Sequence, residues 1–299
     1  MNEPSAAPIE SIELLGPALL DSERQSADAV LRFARSLRMS FGWHYLLDLV
    51  WTNRELPAPP RSTVLDAGAG VGIMQWLLAE RGVNVISVDR IDRSRLSLRF
   101  RARYNVVGLR KGDLLRKRRA LDLEAHNGAL KMDAVRDARN LVGRKLGLGH
   151  SRGSVTIHRS TLDHLAAIPD ASVDGIVSIS SLEHNDLDNI PLVMQELWRV
   201  LRPGATLTAT VGAGKTDWYH EPSRGWCFSE ATLKQAFGLS PSTPSNYDQY
   251  DEILEAVRTN EELRKGLAQS YFRSGNNGMP WGKWDPQYLS VGIRRQKPG

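Results

Sequence analysis

The sequence predicts an α/β protein built on a mostly parallel sheet. A short apolar strand, "TVLDA" (Thr63–Ala67), runs into a glycine-rich turn. A helical stretch, "IMQWLLAERG", closes on Gly82, and a second apolar strand, "VNVISVD" (Val83–Asp89), ends on an acid. A strand–helix–strand unit of this kind requires a right-handed crossover and a parallel pair.

The same rhythm returns after residue 153. "SVTIHRS" and "SVDGIVSIS" read as strands, "NIPLVMQELWRVL" as a helix, "RPG" as a turn and "ATLTATV" as a strand. "SEATLKQAF" is a short helix and "YDEILEAVRTNEELRKGLAQSYF" a longer one, with Ile253, Leu254, Val257, Leu263 and Leu267 roughly periodic. The chain then reads as a loop, "RSGNNGMPWGKWDPQ", and a last strand, "YLSVGIRRQ".

Ahead of this unit, residues 1–20 read as a loose lead-in. Ala29, Val30, Phe33, Ala34 and Leu37 mark a helix, and "GWHYLLDLVW" starts another after Gly42. "ELPAPPRS" ends it with proline punctuation. Residues 1–60 are thus an N-terminal helical segment, and residues 61–299 the main domain. An insertion at about 91–153 interrupts it after the second strand, with a helix-like stretch around Leu121–Leu146.

Charge is concentrated in that insertion. The chain has 299 residues and a net charge of +5, yet residues 90–119 hold twelve Arg/Lys against Asp92 and Asp113. Such asymmetry suits an anionic partner (phosphate, nucleic acid or a membrane surface) or a solvated arginine-rich face. The one cysteine, Cys227, excludes an intramolecular disulfide and a cysteine-based metal site, and fits a cytoplasmic setting. The start of the chain is polar, without a secretory pattern, and no apolar run reaches the ~20 residues of a membrane span. The histidines are scattered, without metal-ligand spacing.

The turn "LDAGAGVG" (Leu65–Gly72) carries the chemistry. Glycines between a strand and a helix let backbone lie against a ligand, with helix N–H groups at hand. A dinucleotide site wants GxGxxG/A. Gly68 and Gly70 fit its first two positions, but the third falls on Ile73, and the third glycine is Gly72. With Asp66 before the glycines and Asp89 ending the second strand, "VLDAGAGVG" and "VISVD" resemble motifs of the class I S-adenosylmethionine (SAM)-dependent methyltransferases. "IPDASVDGIVSISSLEH" and "QELWRVLRPGATLTATV" resemble that family's fourth-strand and fifth-strand blocks, in order.

The resemblance covers about residues 60–90 and 155–240. It implies a three-layer αβα Rossmann-like sheet, mostly parallel with an antiparallel last strand. It also implies SAM as cofactor, held at Asp66, Gly68, Ala69, Gly70, Gly72, Asp89, Arg90 and Ser180. Asp89 would receive the two ribose hydroxyls, which a carboxylate accepts well. Where the family often has an adenine-binding acid, this chain offers Ser160 or Thr161, with Asp163 slightly later.

Methyl transfer needs alignment and exclusion of water, and an oxygen nucleophile usually needs a base. Two places beyond the strand ends qualify. "SSLEH" places Glu183 and His184 after the fourth strand, and "DWYHEP" places His220 after the fifth. His220 is the base candidate by position, against a surface histidine bonded within its own loop. His184 reads as shaping the cofactor pocket. Trp43, His44 and Tyr45 are placed over the cofactor as part of an N-terminal lid. Asn276, Asn277, Trp281 and Trp284 suit a sugar ring or a packed loop.

The expected activity is methyl transfer to an oxygen of a small molecule: a sugar, glycan precursor or secondary metabolite, phosphorylated acceptors included. The alternatives are an RNA methyltransferase holding its substrate through the arginine run, and a non-catalytic SAM-fold protein docking on an anionic surface. A nicotinamide oxidoreductase is a distant fourth.

Overall fold

The computed structural model describes residues 9–39, 42–93, 96–114, 142–143, 152–264 and 284–299. An eight-strand path runs β1 (Glu10–Leu15), β10 (Leu289–Gln296), β7 (Leu201–Ala213), β6 (Val173–Ile179), β2 (Thr63–Ala67), β3 (Asn84–Asp89), β5 (Ser154–Arg159) and β4 (Asn105–Gly108). From β7 to β4 every pairing is parallel. β10 is antiparallel to both β7 and β1. Helices flank the sheet in an αβα arrangement. They are α1 (Pro17–Ser22), α2 (Arg24–Ser36), α3 (Tyr45–Glu55), α4 (Met74–Glu80), α5 (Leu98–Arg103), α6 (Ile190–Val200), α7 (Glu230–Ala236) and α8 (Tyr250–Thr259).

The central strands are apolar because both faces are covered. Four of the five residues of β2 are buried. Trp76 of α4 stacks on Phe100 of α5 with ring centres 4.4 Å apart. Trp51 of α3 lies so close over β10 that a Cβ on Gly292 would stand 2.3 Å from its ring. From β2 the chain proceeds to β3 and β5 on one side, then to β6 and β7 on the other. The order therefore reverses between β2 and β6, and a ligand crevice opens beyond the strand ends at that place.

Several elements differ from the sequence reading. Residues 10–15 form β1, because the edge of β10 offers unpaired backbone groups that a short alternating segment can satisfy. Residues 98–108 of the basic stretch form α5 and β4 and extend the sheet. "RPG" lies inside β7, as a bulge where the β6 register shifts between Val173 and Gly175. "DWYHEP" opens a hairpin of β8 (Trp218–His220) and β9 (Gly225–Phe228), which joins the sheet through β7. The long C-terminal helix stops at Thr259. Asn260 then caps a new turn, its Oδ1 accepting the Leu263 amide at 2.8 Å. Residues 115–141 of the insertion, most of the stretch 121–146, and Asn276, Asn277 and Trp281 lie outside the described residues. No helix among the described residues is long and apolar enough to cross a membrane.

Candidate active site

The glycine loop joins β2 to α4 at the reversal point. Gly68 and Gly70 have φ of +75° and +49°, which favours glycine. The amides of Gly68 and Ala69 both donate to the Val88 carbonyl, at 2.9 and 3.0 Å, so the loop folds back on β3. A Cβ on Gly68 would stand 2.2 Å from Ser181 Oγ. The Asp89 carboxylate accepts the Gly70 amide at 2.8 Å on Oδ2 and the Ile91 amide at 2.9 Å on Oδ1. Each oxygen retains a further lone pair for a hydroxyl.

A cavity of about 310 Å³ opens against this loop. Its walls are residues 68–72 with Asp66, Ile179 and Ser180, together with Met39, Tyr45 and Leu49. Burial pushes Asp66 up to about 7; the Arg93 guanidinium works against this and Asp89 adds to it. A cationic group in the cleft would favour its ionised form. The glycine-rich cradle, the buried carboxyl and the paired oxygens of Asp89 fit a cofactor bearing an ammonium and a vicinal diol.

Arg93 belongs to the basic run, yet it is 4% exposed. Its guanidinium donates to Ser87 Oγ at 2.5 Å, to the Ser87 carbonyl at 2.8 Å and to the His158 carbonyl at 3.2 Å. Ser87 Oγ in turn donates to Gln75 Oε1 at 2.8 Å, and Gln75 Nε2 donates to the Gly72 carbonyl at 3.0 Å. This chain of bonds ties the far side of the glycine loop to β3. Arg103 and Arg152 both pair with Glu80 at 3.0 Å. Part of the arginine run is thus used inside the fold.

A smaller cavity of about 120 Å³ lies beyond β6 and β7. Tyr45 and Ser180 line both the glycine-loop cleft and this space. Its other walls include His44, Glu183, His184, Trp226 and Tyr288. Ser180 has a φ of +46°, costly for a non-glycine residue. Its amide donates to the Thr210 carbonyl at 2.9 Å, and its Oγ to Glu183 Oε1 at 2.6 Å. Glu183 is 5% exposed, and its Oε2 is buried with no hydrogen-bond partner. Burial raises its pKa against the opposing influence of His184, Ser180 and His44.

His44 precedes α3, and its Nδ1 lies 2.7 Å from Oδ2 of Asp48, one turn later. Asp48 is fully buried and also accepts Ser290 Oγ from β10. Burial disfavours the His44 imidazolium, but the Asp48 charge and hydrogen bond, with Glu183 beyond, raise its pKa above 6.5. The ring stacks on Tyr45 at 4.7 Å.

The structure gathers Asp66, Gly68, Ala69, Gly70, Gly72 and Ser180 around one cavity, with Asp89 bonded to its loop. Arg90 and Thr161 are exposed, and Ser160 Oγ donates to the His164 carbonyl at 2.6 Å; none of the three lines the cleft. Glu183 and His184 line the smaller cavity, with His184 Nδ1 on the Arg224 carbonyl at 2.8 Å. His220 is buried in β8 outside that lining, with Nδ1 2.7 Å from Ser223 Oγ and its ring 5.0 Å from Tyr288. Burial and the nearby His44 charge hold its pKa below 6.5. Trp43 is a core residue at 1% exposure, and Trp284 is bonded by Nε1 to the Arg258 carbonyl at 2.9 Å.

Sequence reading did not find the His44–Asp48 pair, although the i,i+4 spacing in "HYLLD" marks two side chains on one helix face. Gln75, Ser87 and Arg93 carry no local signal.

Residues 123–209 match a family described as "Methyltransferase domain", a span that contains β5, β6, α6 and the Ser180–His184 turn. No curated protein matches the chain. Among solved structures the chain is similar to the [4+2]-cyclase SpnF, at 13% identity and a TM-score of 0.47, with 96% of this chain and 99% of that chain covered. It is also similar to the 1,6-didemethyltoxoflavin-N1-methyltransferase of Burkholderia thailandensis, at 14% identity and a TM-score of 0.43, over 100% of this chain and 94% of that one. A third is the geranyl diphosphate C-methyltransferase of Streptomyces coelicolor A3(2), at 15% identity and a TM-score of 0.41, over 83% and 75% of the two chains.

Proposed function

We propose that this chain, which belongs to the class I SAM-dependent methyltransferases, methylates a hydroxyl group of a small molecule and uses His44 as the general base. The observation that carries the reading is buried His44, paired with Asp48, in a cavity that shares Tyr45 and Ser180 with the glycine-loop cleft. Bound in the cleft, SAM supplies an electrophilic methyl group on a sulfonium.

The chain's own residues do the rest. Asp66, in the wall of the cleft, and Asp89, bonded to its loop, offer carboxylates to the cofactor's ammonium and ribose, and residues 68–72 line the cleft. Asp48 accepts from Nδ1 of His44, which leaves Nε2 with the lone pair that takes the acceptor's proton. Burial pushes the Tyr45 phenol up to about 12, so it stays protonated at the junction. Sugars, glycan precursors and secondary metabolites, phosphorylated ones included, supply hydroxyls of this kind. A cytoplasmic location, where SAM is made available, suits the reading.

Protein incubated with methyl-labelled SAM and a panel of sugars and phenols, with RNA in parallel, tests it. Label is expected in a hydroxyl compound. His44→Gln is expected to lower turnover by about 10² or more while S-adenosylhomocysteine binds as before. Label in RNA, or full turnover in the variant, refutes the proposal.

A further inference from the structure

Glu183 is left with one carboxylate oxygen unused. Oε1 is taken by Ser180, while Oε2 is buried and unpartnered, on a residue that lines the smaller cavity. A buried acceptor without a donor is costly, and more so when it is charged. The neighbouring basic side chains do not fill the need. His44 is held by Asp48, and His184 turns its Nδ1 to the Arg224 carbonyl. The wall also carries three aromatic rings, Tyr45, Trp226 and Tyr288, beside Gly212, Ser223, Gly225 and Cys227. An acidic side chain and aromatic rings lining one cavity suit an organic cation, by ion pairing with the carboxylate and attraction to the ring quadrupoles.

We infer that the smaller cavity is an ammonium subsite, with Glu183 Oε2 as the anionic partner and Tyr45, Trp226 and Tyr288 as its walls, so that the acceptor is a small amino alcohol or amino sugar. The inference rests on the reading of this cavity as the acceptor site. In it the ammonium lies against Glu183 and the hydroxyl to be methylated faces His44. Glu183 is then a specificity residue that itself takes no proton from the acceptor.

Calorimetric titration of the protein saturated with S-adenosylhomocysteine tests this, with trans-2-aminocyclohexanol and trans-1,2-cyclohexanediol as probes. The amino alcohol is expected to bind about tenfold more tightly than the diol. Glu183→Gln is expected to bring the ratio to about one, with S-adenosylhomocysteine bound as in the unaltered protein. Trp226→Leu, which removes a ring and no charge, is expected to weaken the amino alcohol several-fold and leave the diol unchanged. Equal affinities in the unaltered protein, no binding of the amino alcohol, or a preference that survives both substitutions overturns the inference. The hydroxyl-methylation reading fails differently: the amino alcohol binds with the expected preference, but labelled methyl never reaches a hydroxyl.

Discussion

His44 shows how much one side chain's role depends on its neighbours. Asp48 approaches it from α3, Glu183 from the turn after β6, and Tyr45, Tyr288 and His220 surround it. Asp48 and Glu183 together raise its pKa against burial, so the imidazolium persists above pH 6.5. A base must be neutral to act. The acidic limb of kcat/KM is therefore expected above the ordinary histidine value, with activity rising as pH increases through it. Asp48→Asn removes the charge that holds the proton. It is expected to move the His44 titration downward by about one unit or more, read directly by NMR of the ring protons. An unmoved titration would show that Asp48 does not govern His44. Linkage runs the other way for stability: the raised pKa contributes stability that is present below the unfolded value and lost as pH rises through the folded one.

The strand–turn–helix from β2 to α4 is where element geometry and ligand chemistry meet. Gly68 combines a positive φ with close approach of Ser181, so two separate constraints forbid a side chain there. Gly68→Ala is expected to cost about 1–3 kcal/mol in urea unfolding and to weaken S-adenosylhomocysteine by about tenfold or more. Adding Ser181→Gly removes the clash but leaves the φ penalty, so recovery should be partial. Full recovery would mean that only the clash mattered. The loop was legible in the sequence because its requirement is local: a turn, a positive φ and an acid at each strand end lie within a short stretch. Arg93 was not legible in this way. Its place in the basic run suggested a cation for an anionic partner or a solvated face, and only the packing of β3 against β5 provides the carbonyls that hold it.

At the scale of the whole molecule, the candidate base is positioned by the two ends of the chain together. α3 carries Tyr45 and Asp48, follows His44 directly, and lies on β10, where Ser290 bonds Asp48 and Gly292 makes room for Trp51. β1 completes the arrangement: it pairs with β10, and its Glu13 accepts from Trp51 Nε1 at 2.8 Å. Gly292→Ala places a Cβ against Trp51 and is expected to cost about 1–3 kcal/mol in urea unfolding. Since the glycine loop is remote from β10 in the strand order, S-adenosylhomocysteine affinity should change little in that variant. A large loss of affinity with stability intact would contradict this division.

The antiparallel last strand followed from the family resemblance, while the sequence by itself determined the βα rhythm, the parallel centre, the glycine cradle and the acids beside it. These are written in short-range periodicity and in backbone conformations that only certain residues adopt. Tertiary structure decided the rest: that residues 10–15 become an edge strand, that Arg93 is buried, and that His44, bonded to Asp48, shares one cavity with Glu183 and Tyr288. Those outcomes depend on contacts between residues far apart in the chain. Their free energy comes from burial and pairing across elements, to which no local pattern of residues corresponds.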